Sequence, residues 1–199
     1  MTRRHTVFGV ILSIICALAA VQAADLSRQQ ADSFAKKVAI IGQRGTSTAT
    51  AIQRTTVSEN EVNSWFVYRG RDVIPKGITQ PKVTIIGNGR VMGVATIDLD
   101  SVSRERASGK ALDMWNLVGG QVPVSVTGVL QTKRGRGQFD VQSATVSGIP
   151  VPKALLQELV SYYSRSADHP EGVRMDAPFQ LPAKIQQIEV GQGQAVVIQ

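Results

Sequence analysis

Apolar positions recur at helical spacing near the start of the chain: Ala31, Phe34, Val38 and Ile41 form one stripe and predict a helix over residues 25–41. Ser27 and Gln30 fit a capping box ahead of it, and Gly42 and Gly45 are expected to end it. Residues 46–57 are rich in β-branched side chains and read as a strand. A second capping box, Ser58 and Glu61, opens a short helix on which Val62, Trp65 and Phe66 share a face. Two hairpins follow. One spans residues 82–100 around Gly87-Asn88-Gly89, and the other joins 122–132 to 138–147 through the turn "KRGRG". Residues 101–120 separate them as a connection with some helix. Next comes "VSGIPVPKALLQELVSYY" (146–163), in which a strand stops at Gly148 and a helix begins at Pro152. A last hairpin, 184–190 with 194–199, turns at Gly191-Gln192-Gly193.

Consecutive strands joined by short turns predict an antiparallel sheet. The fold class expected is α+β, a long curved antiparallel sheet wrapped around one or two helices. Strands of ten residues would span about 33 Å.

Composition narrows the picture. At 199 residues, 43% hydrophobic and 19% charged, the chain has enough apolar content for one globular domain. Arg3, Arg4 and His5 precede an apolar run from Val7 to Ala20, too short for a comfortable span, and Val21-Gln22-Ala23 offers the small residues of a signal-peptidase site. Residues 1–23 are therefore expected to be a signal peptide and residues 24–199 a single exported domain, periplasmic or extracellular. An uncleaved N-terminal anchor is the alternative. Removing the leader removes the sole cysteine, Cys16, and two arginines, so the net charge falls from +7 to +5. A modestly basic exported chain fits anionic surfaces such as lipid headgroups better than nucleic acid.

Candidate chemistry is sparse. His169 is the mature chain's single histidine and sits in a polar loop before Pro170, a poor base for any nucleophile. No cysteine and one histidine leave no expected zinc site. Asp98 and Asp100 would share a strand face, a weak calcium site at most. "GNGRVMG" (87–93) resembles a dinucleotide loop, yet its third glycine is late and its flanks are both strands, so it reads as a hairpin turn. No catalytic residue, metal or cofactor is expected. The basic turn, Lys133, Arg134 and Arg136, is the sharpest charge cluster and a candidate headgroup or membrane contact.

The helix after Pro152 is unusually broad in its apolar face. At about 100° per residue, Leu155, Leu156, Leu159, Val160, Tyr162 and Tyr163 cover roughly 160°. A helix on one sheet needs only about 100°. The excess implies either clasping by curved sheet or a cavity wall.

At these residues a resemblance enters. "VSENEVNSWF", "VPVSVTGVL", the basic turn, "FDVQSATVSGIPVPKALLQELV" and "GVRMDAPFQLPAKIQQIEVGQGQAVV" together resemble bacterial LmeA-like exported phospholipid-binding proteins and related TULIP-type lipid-binding domains, over roughly residues 57–197. The motifs are shape motifs, none is a catalytic signature, and residues 100–120 match nothing in the pattern. The resemblance implies a strongly curved sheet around a helix, with acyl chains in the apolar gap and the headgroup near the mouth. The expected function is a non-enzymatic carrier of a phospholipid-like amphiphile, lined by Val62, Trp65, Phe66, Leu155, Leu156, Leu159, Tyr162 and Tyr163. Two rivals remain: an envelope interaction module docking a protein through a sheet edge or residues 101–120, and a hydrolase using two of Asp98, Asp100, Asp140 and Glu158.

Overall fold

The structure is a computed structural model, and it describes residues 26–49, 51–98, 120–163, 165 and 170–199, with Leu159, Tyr162 and Tyr163 described by their backbone alone. Residues 1–25, which include the expected signal peptide and Cys16, as well as Asp100, residues 101–119 and His169, lie outside the described residues.

The fold is α+β, with a long open antiparallel sheet and helices at its flanks. In chain order the elements are α1 (Arg28–Thr46), β1 (Arg54–Ser58), α2 (Glu59–Tyr68), β2 (Ile78–Gly87), β3 (Arg90–Asp98), β4 (Gln121–Lys133), β5 (Arg136–Val146), β6 (Ile149–Pro150), α3 (Lys153–Tyr163), β7 (Phe179–Gln180), β8 (Gln187–Val190) and β9 (Gln194–Ile198). Among the described residues the strands form two sheets. Six strands make the larger, in the order β2-β3-β4-β5-β6 with β7 also on β5; the smaller has the order β1-β9-β8.

Two-residue turns set the large sheet. Asn88 and Gly89 (φ 53° and 79°) link β2 to β3, and Arg134 and Gly135 (φ 50° and 76°) link β4 to β5. Positive φ at both central positions is the type I′ geometry, whose twist matches that of the flanking strands. Ser147 and Gly148 (φ 50° and 79°) make a third such turn. Gly148 therefore does more than end a strand. It folds Ile149-Pro150 back onto Val146 and Thr145 as β6, and the first helical residue is Lys153, with the Pro152 carbonyl accepting from Leu156 N–H at 3.1 Å.

Two other expectations are corrected. Helix α1 runs on to Thr46, through Gly42 and Gly45. Gly45 serves packing: a Cβ there would lie 2.6 Å from Ala183 Cα. Among the described residues of 46–57 only 54–57 are strand, as part of β1 (Arg54–Ser58), which finds a partner in β9.

Directly paired residues share a sheet face. One face of the large sheet is almost wholly apolar: Val83 and Ile85 of β2, Val91, Gly93, Ala95 and Ile97 of β3, Val122, Val124 and Val126 of β4, and Ala144 and Val146 of β5. The other face is mixed, carrying Lys82, Thr84, Thr96, Ser125, Thr127, Ser143 and Thr145 with Met92 and Val94, and the Ser125 and Thr145 hydroxyls are 2.7 Å apart.

The small sheet closes one end of the large one. Gly89 N–H donates to Val190 O at 3.3 Å, Gly193 N–H to Ile85 O at 2.8 Å, and Thr132 Oγ1 both donates to Ile188 O (2.9 Å) and accepts from Ile188 N–H (2.8 Å).

Candidate functional site

The site is built on helix α2 and the strand edge it covers. Both halves of its capping box form: Ser58 Oγ accepts from Glu61 N–H at 3.2 Å, and Ser58 N–H donates to Glu61 Oε2 at 2.8 Å. The Glu61 carboxylate also accepts from Ser33 Oγ (2.6 Å) and meets Lys37 Nζ (2.6 Å), so it ties α2 to α1 while only 7% exposed. Burial alone would raise its pKa. The hydrogen bonds from Lys37, Ser33 and Ser58 N–H, with the Lys37 charge, outweigh burial and hold the carboxyl below its usual range.

The capping box of α1 closes differently. Ser27 Oγ accepts from Gln30 N–H at 3.2 Å, but Gln30 does not reach back to Ser27. Ser64 of α2, fully buried, stands between them, accepting from Ser27 N–H (3.1 Å) and donating to Gln30 Oε1 (2.9 Å). A local motif has become a helix–helix bond.

Asn63 and Glu59, four residues apart, address the outer edge of β2. Asn63 Nδ2 donates to Val83 O and its Oδ1 accepts from Val83 N–H, both at 2.8 Å, and Glu59 Oε2 accepts from Ile85 N–H at 2.7 Å. An open edge strand invites pairing with other chains. Here side chains occupy it, while β6 and β7 occupy the outer edge of β5. Those two strands pair with the ends of β5, Arg136 and Gly137 at one and Thr145 and Val146 at the other, and leave residues 138–144 without a strand partner on that edge among the described residues.

The candidate lining residues fall into two banks rather than one cluster. Val62, Trp65 and Phe66 are half-buried on α2, beside β2. The Trp65 ring makes edge contacts with Phe34 (5.8 Å) and Phe66 (5.6 Å), so it belongs to the packing of α1 on α2. Leu155 is half-buried and Leu156 is 8% exposed on α3, which packs on β5. The side chains of Leu159, Tyr162 and Tyr163 lie outside the described ones. Strands β2 and β5 are three strand spacings apart, about 14 Å, with β3 and β4 between them.

The incomplete burial of the apolar sheet face is the feature the sequence reading missed. Here Ile85, Ala144, Val146 and Val122 are at most 9% exposed, whereas Val83, Val91, Ala95, Ile97, Val124 and Val126 of the same face are only half-buried. A Cβ placed on Gly93, in the middle of the face, would meet no described atom within 4 Å. The available signal was a glycine at an inward position of an otherwise apolar strand.

Other candidates are placed elsewhere. Lys133, Arg134 and Arg136 are exposed at the β4–β5 turn, beyond the strand end that the small sheet closes. Arg90 of β3 lies level with Val129 and hence with Asp140, and Asp98 is eight residues further up β3, about 26 Å away. Asp98 and Asp140 therefore cannot act as an acid–base pair on one glycosidic bond. Asp140 instead meets Lys153 at 3.4 Å, and Glu158 is exposed. Among the described residues no group of His, Cys, Asp and Glu could hold a metal, and no helix is long and apolar enough to cross a membrane. An open polar groove of about 500 Å³ runs beside Ser33, Lys37, Thr56 and Glu61. The Glu61 carboxylate there is already taken by Ser33, Lys37 and Ser58, which makes it a structural joint.

No protein-family model matches the chain, and no curated protein matches it.

Proposed function

We propose that the chain is an exported, non-enzymatic envelope protein that holds the acyl part of a phospholipid-like amphiphile against the middle of its apolar sheet face. The observation that supports this reading is an apolar face most of whose side chains are only half-buried, with no described atom within 4 Å of a Cβ placed on Gly93. In this reading the half-buried Val62 and Phe66 of α2, beside β2, and Leu155 of α3, beside β5, would serve as its apolar walls. An acyl chain there gains about 0.8 kcal/mol for each methylene it removes from water. A whole tail of about 14 methylenes would supply about 11 kcal/mol, to be set against association costs of about 4–15 kcal/mol. The resemblance to LmeA-like proteins and the leader-like first 23 residues point the same way.

The test is direct. The mature protein is purified from cells without detergent, extracted with organic solvent and analysed by mass spectrometry, and the delipidated protein is then titrated with a fluorescent phospholipid. Recovery of a lipid at near-equimolar amount, or saturable uptake, is expected. No extracted lipid together with no uptake overturns the reading.

A further inference from the structure

The β4–β5 turn carries a second inference, which stands on the turn itself and does not depend on the ligand reading above. We propose that it is a docking element for the surface of an anionic lipid bilayer.

Lys133, Arg134 and Arg136 are all exposed. Among the described residues no carboxylate pairs with them: Asp176 is engaged by Arg174 at 3.4 Å, Glu189 by Arg54 at 3.1 Å and Asp140 by Lys153 at 3.4 Å. The turn is held on two sides, with Gly135 N–H donating to Gln186 O (3.0 Å) and Leu181 N–H donating to Gly135 O (2.8 Å). The cations thus project from a fixed point.

An exposed aromatic ring stands next to them. Phe179 is 44% exposed and pairs with Gly137, beside the Arg136–Gln180 pair. Its ring lies so close over Gly137 that a Cβ there would be 2.6 Å from Phe179 Cζ. Cations beside a fixed, half-exposed ring match a bilayer surface, where charge meets headgroups and the ring enters the interface. A soluble anionic polymer would use the charges and leave the ring idle. The turn is also too far away to serve as the headgroup clamp of a lipid lying over Gly93. Arg134 is eight residues along β4 from Val126, about 26 Å, with the Thr132–Ile188 joint between them.

The experiment is flotation of the intact mature protein with vesicles of phosphatidylcholine alone or mixed with phosphatidylglycerol, at low and high salt. Binding to the mixed vesicles is expected, weakening with salt. Each of Lys133→Gln, Arg134→Asn and Arg136→Gln should lower partitioning on the order of fivefold. Asparagine tolerates the positive φ at position 134, and Lys133→Gln, at an exposed side chain, serves as the variant least able to disturb folding. Phe179→Ser should weaken the binding that persists at high salt. Full binding by the triple variant overturns the proposal. So does equally tight binding to soluble polyphosphate with no effect of Phe179→Ser, which would identify an anionic polymer as the partner. Gly93→Trp, which fills the sheet face, should float like the native protein, so failure of one reading is distinguishable from failure of the other.

Discussion

Glu61→Gln is the substitution whose outcome the structure constrains most tightly. The native carboxylate accepts from Ser58 N–H, Ser33 Oγ and Lys37 Nζ, at 2.8, 2.6 and 2.6 Å, and is 7% exposed. A glutamine keeps the shape and one acceptor, but it turns an amide donor toward groups that are themselves donors and leaves Lys37 without its counter-charge. Removing one partner of a fully buried pair costs about 3–5 kcal/mol. The Lys37 side chain is 30% exposed and can turn to water, so the loss here is about 2–3 kcal/mol. For a domain of this size that lowers Tm by roughly 4–12 °C. The pH dependence has a definite sign. The folded-state pKa of Glu61 is depressed, so its contribution is complete above the unfolded carboxylate value and is lost as pH falls through the folded one. The gap between native protein and variant should be full at neutral pH and close in acid. Thermal and urea unfolding followed by circular dichroism, at neutral and acidic pH, measures both. A variant within about 0.5 kcal/mol of the native protein at neutral pH, where exposed pairs fall, or a gap independent of pH, refutes the reasoning.

Further outcomes follow from the same geometry. Asn63→Leu leaves the Val83 N–H and C=O without their partner, costs about 1–3 kcal/mol and bares the β2 edge, so a lower urea midpoint and faster aggregation in light scattering are expected. Gly45→Ala should destabilise although alanine is better in a helix by about 1 kcal/mol, because the new Cβ would sit 2.6 Å from Ala183 Cα, which is backbone; a raised Tm would contradict this. Gly128→Ala should likewise lower stability by about 1–3 kcal/mol, read from urea unfolding, since its Cβ would lie 2.5 Å from Phe139 Cζ and 2.6 Å from Asp140 O.

Local chemistry was legible in the sequence, and long-range pairing was not. The two central hairpins, the order of the elements and the Ser58–Glu61 capping box all rest on residues a few positions apart, and periodicity and turn chemistry report such features directly. The division into two sheets rests on β1 meeting β9 across nearly the whole domain, which no local pattern encodes. The same holds for Gln30, whose box is completed by Ser64, 34 residues away. Gly45 looked like a stop signal because its real constraint is Ala183, also distant in sequence. The breadth of the apolar face of α3 drew attention to that helix. The sheet opposite carries the clearer sign, since Gly93, Val124 and Val126 share one face only once the register is known. Glu59 and Asn63 read as ordinary helix polarity until β2 was placed beside them.

The central claim is that a ligand's apolar part occupies the space over Gly93. Uptake of a fluorescent phospholipid by delipidated protein, compared between the native chain and Gly93→Trp, tests it most directly. The new Cβ would meet no described atom within 4 Å, and tryptophan is at home in a strand, so the variant should keep its far-ultraviolet spectrum and Tm. The account predicts saturable uptake by the native protein and at least a tenfold loss in the folded variant, since displacing two methylenes would remove about 1.6 kcal/mol and tenfold is about 1.4 kcal/mol. Equal uptake by a folded Gly93→Trp protein would contradict it.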